Sequence, residues 1–216
     1  MSTVAKFPNS PGVAALAGFA PATLEIPKGT CLARVYTTGG RHPMRWNAFR
    51  YVGPVNARWD HHLANADGEP CAQERGIYYA ARDAKTCLAE SFQHTRRIDR
   101  AFQSPWLVVF ETVSALRVLD LTGDFATRMG ASMAIHSGSR ERARGWARDL
   151  YAAFPEVQGI QYASSMNGGA HALALNERAL QVALFPSHPL FNRALADDVM
   201  LDPLKQAGSE LGYALR

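Results

Sequence analysis

The stretch GIYYAARDAKTCLAESFQH, residues 76–94, decides how the chain is read. It reads as a strand ending at Tyr79 or Ala80, a turn at Arg82 and Asp83, then a helix with Ala84, Cys87, Leu88 and Ser91 on one face. Asp83 stands where an N-cap is expected, its carboxylate accepting from a first-turn N–H. At about 100° per residue, Glu90 falls near the border of the apolar stripe, beside Cys87. Periodicity alone makes it an ordinary solvated glutamate. Whether it is instead a working carboxylate depends on the rest of the chain.

Outward from that stretch, TCLARVYTT (30–38) alternates apolar and polar residues as a strand does, and FRYV (49–52) reads as one short strand within a long irregular segment, 39–75. The helix is expected to run over 83–97. WLVVFETV (106–113) and ALRVLDL (115–121) read as core strands, and a second helix begins near Ser139 with Trp146, Ala147, Leu150, Tyr151 and Phe154 on its buried side. Its arginines read as a solvated face. GIQYASS (159–165) and ALQVALF (179–185) are expected as strands and NRALADDVM (192–200) as a closing helix. Strands and helices do not alternate in a βαβ rhythm, so the fold class is α+β, a single compact domain with a mixed or antiparallel sheet. The expected division is an extension at 1–29, a catalytic domain at 30–190, and a C-terminal helix and tail at 191–216.

The 216 residues, 47% hydrophobic and 19% charged, suffice for a full core. A net charge of +4 is too mild to require nucleic acid, though it leaves room for a local anion site. Three cysteines, Cys31, Cys71 and Cys87, form no CxxC and suit a reducing cytoplasm better than a disulfide framework. No apolar run approaches the ~20 residues of a membrane span. VAALAGFAPA (13–22) has the length of a secretory h-region, but only Lys6 precedes it and Pro8 and Pro11 interrupt the approach. It reads instead as a short helix with Ser10 as cap and Pro11 at its first position.

Dinucleotide and triphosphate glycine loops are missing, as are GxSxG and HExxH. Adjacent His61 and His62, after Asp60, are expected on opposite sides of a strand, which argues against a shared metal ion. What stands out is Arg34, Arg41, Arg45, Arg50 and Arg58, interleaved with Tyr36, Trp46, Phe49, Tyr51 and Trp59. Guanidinium forks match phosphates and aromatic faces stack on planar rings, which suits a nucleotide. The same pattern also arises where arginines keep loops soluble and aromatics fill a core.

The order of these pieces resembles the RES domain family, named for Arg, Glu and Ser. It is carried by RVY with Arg34, ARW with Arg58, YYAARDAKTCLAES with Tyr79 and Glu90, and GIQYASS with Ser164. The resemblance spans roughly 30–186. It departs from the family pattern at Ala57 and Ala163, and the segment after Arg58 is longer than usual. Tyr78 competes with Tyr79, but the eleven-residue step to Glu90 fits Tyr79. The resemblance implies a bacterial toxin of a toxin–antitoxin pair, with a fold similar to ADP-ribosyltransferase toxins. It would consume NAD+ by hydrolysis, phosphorolysis or ADP-ribosyl transfer to a protein. Its partners would be a cognate antitoxin and, by extension, homodimers or larger toxin–antitoxin assemblies. Arg34, Arg58, Tyr79, Glu90 and Ser164 would line the NAD+ pocket, with Glu90, Arg34 and Ser164 catalytic and no metal required. The alternatives are a nucleotide-binding module without turnover and a protein- or nucleic-acid-binding domain.

That chemistry matches what the side chains can do. The nicotinamide leaves as a neutral base from a cationic precursor, so no strong acid is needed, and the ribose develops oxocarbenium character. One fixed carboxylate, Glu90, stabilises that charge more in the transition state than in the ground state. Arg34 and Arg58 would neutralise the diphosphate, Tyr79 would stack on nicotinamide or ribose, and Ser164 would supply a neutral hydrogen bond.

Overall fold

A computed structural model describes residues 5–216. The alternating runs become strands: β1 (Thr23–Ile26), β2 (Cys31–Thr37), β3 (Arg50–Gly53) and β4 (Cys71–Ala81), then, after a helix, β5 (Arg97–Ile98). β6 (Pro105–Glu111), β7 (Leu116–Asp120), β8 (Gly159–Ala163), β9 (His171–Asn176), β10 (Phe191–Ala194) and β11 (Ala214–Leu215) follow. Among the described residues, nine strands form one mixed sheet in the order β1-β7-β8-β9-β4-β2-β6-β10, with β3 alongside β4. Only β7 and β8 pair parallel within it. A separate parallel pair, β5 with β11, ties the C-terminus down. The sheet takes β1 from before residue 30 and β10 from after residue 190.

Strand alternation sorts two cores. On one face Ile77, Ala81, Ile160, Tyr162 and Ala174 pack with the helices α1 (Val13–Ala17), α2 (Ala84–Ser91), α4 (Arg140–Ala153) and α5 (Leu201–Leu211). A short helix, α3 (Phe125–Arg128), joins this side. On the other face Phe49, Tyr78, Phe110 and Phe185 form an aromatic cluster, with Tyr78 and Phe185 ring centroids 5.1 Å apart. Trp146, fully buried on α4, is the largest single anchor of the helical layer, and its truncation to alanine costs about 3–5 kcal/mol.

One feature of the pairing opens the sheet. β4 is eleven residues long and pairs β3 along its first half, up to Ile77. β2 meets it only through Ala33 and Ala81. Between those contacts the edge of β4 parts from its neighbours, and the side chains of β2 and β4 face a cleft there.

Several expectations are corrected. The long loop ends at Cys71, not residue 75, because β4 starts early against β3. The helix after Asp83 stops at Ser91, where the Phe92 carbonyl accepts from the N–H groups of both Thr95 and Arg96, and Arg96 turns to φ 47°. Its buried residues are Thr86, Cys87, Leu88 and Ala89, and Ser91 is exposed, since α2 is wedged between the sheet and α5 rather than lying on one surface. The run at 179–185 is a 3-10 turn, Glu177–Val182, started by the Asn176 side chain accepting from Arg178 N and ended by Ala183 at φ 54°. The supposed closing helix is strand β10 followed by a short 3-10 turn, Asp198–Met200, capped by Asp197. The true closing helix, α5, starts at Leu201. Finally, α1 begins after Gly12, whose φ of 92° breaks continuity with Pro11, so Ser10 caps nothing and its hydroxyl accepts from Gly12 N. No helix among the described residues is long and apolar enough to cross a membrane.

Candidate functional site

The cleft between β2 and β4 deepens into a cavity of about 310 Å³. Arg34 from β2, Arg58 from the loop after β3, Tyr79 from β4 and Glu90 from the last turn of α2 all line it. Ser164 does not face it directly. Its hydroxyl donates to Glu90 Oε1 at 2.5 Å and accepts from Met166 N and Asn167 N at 3.1 and 3.2 Å. Four of the five expected residues therefore share the cavity wall, and the fifth holds the carboxylate from behind.

Local sequence explains this arrangement. Asp83 caps α2 through Thr86 N at 2.7 Å, and Thr86 Oγ1 in turn donates to Asp83. Asn167 Nδ2 donates to the same Thr86 oxygen at 2.8 Å, so the loop after β8 is tied to the start of the helix as Ser164 is tied to its end. Gly168 and Gly169, at φ 55° and 80°, let that loop turn back so that Ser164 N reaches Ala170 O. Gln93 Nε2 donates to the Glu90 carbonyl at 2.7 Å and steadies the helix end.

Tyr79 and Tyr78 separate as adjacent strand residues must. Tyr79 packs on the helical side and lines the cavity. Tyr78 is fully buried in the aromatic cluster, donates to Trp46 O at 2.9 Å, and lies under the Arg34 guanidinium, 4.0 Å from the ring centroid. Arg34 Nη1 also donates to Ala48 O at 2.8 Å. Burial raises both phenols well above their usual pKa.

Arg58 is held by the backbone of a turn. Its Nη1 donates to Gly138 O at 2.7 Å and Ile135 O at 3.3 Å. Burial and then the nearby charge of Arg140 lower its pKa from the usual arginine value. The loop that carries it is pinned by a buried polar knot. Asp60 accepts from Arg50 Nη2 at 2.9 Å, Val55 N at 2.6 Å, His62 N at 3.1 Å and His62 Nδ1 at 2.5 Å. Burial alone would raise the Asp60 pKa, but these partners together hold it well below the usual carboxylate range. His61 and His62 are not on opposite sides of a strand, as expected. They lie in a loop with rings stacked 5.5 Å apart at 13°, because His62 turns in to reach Asp60. Among the described residues no group of three His, Cys, Asp or Glu side chains is arranged to hold a metal ion.

Sequence reasoning missed Arg140. Ser139 caps α4, so Arg140 is the first helical residue, off the amphipathic stripe, and it lines the cavity rather than joining the solvated face. Its fork donates to Gln93 Oε1 at 2.6 Å and contacts His94 Nε2 at 2.8 Å. Trp59, His136 and Tyr162 complete the deep wall. Nothing in the spacing of these residues connects them, since they come from three separate segments. Among the described residues, none of Arg34, Arg58 and Arg140 has a carboxylate within salt-bridge distance. Arg34, Arg58 and Arg140 thus line one cavity with a single carboxylate residue, Glu90, the Arg34 guanidinium itself lying on the Tyr78 ring. Charge left uncompensated in this way suits an anionic ligand such as a diphosphate.

These features define a class: an α+β domain whose split sheet forms an arginine-lined cleft around one fixed carboxylate. Across residues 32–199 the chain matches the model of the RES domain, and it belongs to that family. Its fold is similar to that of a chain in the crystal structure of the M. tuberculosis MbcT–MbcA toxin–antitoxin complex. The TM-score is 0.53 and the identity 16%, covering 82% of this chain and 90% of that one. No curated protein sequence matches the chain.

Proposed function

We propose that the chain is a RES-domain toxin that breaks the nicotinamide–ribose bond of NAD+ and is neutralised by a partner antitoxin. The observation that supports this most is the fixed Glu90 carboxylate in a cavity shared with Arg34, Arg58 and Arg140. The arginines neutralise the diphosphate and orient the dinucleotide, and Tyr79 offers a face to the nicotinamide or ribose. Glu90 then stabilises the positive charge that grows on the ribose as neutral nicotinamide departs. Ser164 fixes the carboxylate's direction, so no reorganisation is needed as the charge develops. Water, phosphate or a protein side chain completes the transfer of ADP-ribose. Family membership and the fold shared with a chain of a toxin–antitoxin complex support the toxin role and the antitoxin partner.

The test is overproduction in a bacterial host with NAD+ and ADP-ribosylated protein measured over time. Wild type should stop growth with loss of NAD+ or labelling of a protein, and Glu90→Ala should do neither. Growth arrest with NAD+ unchanged and no labelled protein would remove the proposal. Calorimetric binding of NAD+ without nicotinamide release would leave only a nucleotide-binding module.

A further inference from the structure

The cavity around Glu90 does not end at its own walls. Arg34, Val35, Ser91 and His94 line it and also line a second, more open cleft of about 670 Å³. At about 310 Å³ the first cavity stands at the small end of ligand pockets, roughly 300 Å³, and is short of a whole dinucleotide. A dinucleotide with its cleavable bond at Glu90 has to run on, and the shared wall leads it into the second cleft.

A braced turn, residues 99–104, forms one side of that cleft. Asp99 accepts from Ala101 N at 3.0 Å and from Phe102 N at 2.8 Å. Arg100 donates to the carbonyls of Leu195, Ala196 and Asp197 at 2.8, 3.0 and 3.0 Å. At the other end the carbonyls of Gln103 and Ser104 accept from Gly39 N and Thr38 N at 3.0 and 3.1 Å. Gln103 and Ser104 stand at φ 60° and 49°, which residues other than glycine seldom adopt, so the turn is held in one unusual shape. Gly39 lets the two backbones approach, since a Cβ there would lie 3.2 Å from Gln103 O.

This bracing presents Phe102, which lines the cleft and is 70% exposed. A scattered apolar side chain on a surface is ordinary. A benzene ring kept open to solvent on a turn fixed at both ends, in a cleft that shares a wall with the Glu90 cavity, is a stacking face for a flat base. The charges agree with a nucleotide. Arg97 lines the same cleft and, among the described residues, has no carboxylate within salt-bridge distance. The carboxylate side chain that lines it, Asp99, is already engaged by the two N–H groups and lies 3.9 Å from Arg216.

We propose that the second cleft is a subsite for the adenosine half of the dinucleotide, with the purine stacked on Phe102. The inference rests on the reading of the site as one that cleaves the nicotinamide–ribose bond of NAD+, and it makes Phe102 the residue that tells a dinucleotide from a mononucleotide.

The experiment compares nicotinamide release from NAD+ and from nicotinamide mononucleotide, which has the same cleavable bond and no adenosine, by wild type, Phe102→Ala and Phe102→Tyr. Wild type should favour NAD+ in kcat/KM by about tenfold or more, and Phe102→Ala should lower that preference about tenfold by losing one base–aromatic stack. The loss should fall on NAD+, with the mononucleotide changed less than about twofold. Phe102→Tyr keeps a flat ring and should keep the preference. Phe102→Ala that leaves both substrates unchanged, or lowers both equally, would overturn the proposal. Wild type that uses the two substrates equally would overturn it whatever the variants do. Release from neither substrate by wild type would remove the proposed function and this inference with it, whereas release from NAD+ at an unchanged rate by Phe102→Ala removes the inference alone.

Discussion

Replacing Glu90 by glutamine removes the charge and keeps the shape. The amide oxygen of the new side chain can still accept from Ser164, whose hydroxyl is independently held by Met166 N and Asn167 N, so the loop anchor survives. Stability should change by no more than about 1 kcal/mol, the net worth of one exchanged hydrogen bond. The transition state loses much more. A carboxylate about 4 Å from a unit positive charge is worth about 4 kcal/mol at an effective dielectric constant near 20. Glu90 is half-buried, so about 2–4 kcal/mol is the working range, or about 30- to 1,000-fold in kcat. The assay is nicotinamide release from NAD+ by chromatography, with KM fitted separately and folding followed by circular dichroism. A Glu90→Gln protein with unchanged Tm that releases nicotinamide within about threefold of wild type would refute the role given to this carboxylate.

On the proposed function, Arg140→Ala should raise KM for NAD+ about tenfold or more with a smaller change in kcat, since a fork that neutralises the diphosphate does so in ground and transition states alike. Arg140→Lys should recover part of it, and an unchanged KM would remove Arg140 from the binding site. Asp60→Asn leaves Arg50 and His62 with a neutral partner in a buried knot, and should cost about 3–5 kcal/mol, read as a fall in Tm of about 10 °C or more. Burial alone would raise Glu177. Instead it is held at about 2, chiefly by the Tyr151 and Gly76 hydrogen bonds at 2.6 and 2.8 Å, since His61 Nε2 is 3.9 Å away. A lowered carboxylate stabilises the fold above its unfolded pKa of about 4.5, and that contribution, about 2–3 kcal/mol, is lost as the pH falls from about 4.5 towards 2. Glu177→Gln should therefore lower stability at pH 7 and flatten the acid limb of a Tm-versus-pH curve; an unchanged acid limb would contradict this.

Legibility followed the range of the interactions involved. Strand β2, the Asp83 cap and helix α4 were readable because alternation, a capping side chain and a 3.6-residue stripe are local. The runs at 179–185 and 192–200 misled because their apolar residues are buried by distant partners. Ala179 and Leu184 pack into the aromatic core from a turn, and β10 is a strand only because β6 offers it an edge. Periodicity left Glu90 looking solvated, since nothing within α2 reveals that Ser164, 74 residues away, holds it. Arg140 and His136 were invisible for the same reason. The cavity that unites them exists only because β2 and β4 part, which is a matter of sheet register and not of any one segment.

The first residues of the described chain reach the cavity at second hand. Pro8 O accepts from Trp146 Nε1 at 3.0 Å, Phe7 O accepts from Arg142 at 2.8 Å, and Lys6 O accepts from Ser132 at 2.6 Å. These carbonyls brace the opening turn of α4, where Arg140 sits, and the segment leading to His136. Trimming the chain to residue 10, or straining it with a bulky N-terminal fusion, should thus speed amide exchange in that opening turn and weaken dinucleotide binding, although none of residues 5–10 lines the cavity. Expression tags on this protein are better carried at the other end only if the β5–β11 pairing that secures Arg216 is left intact.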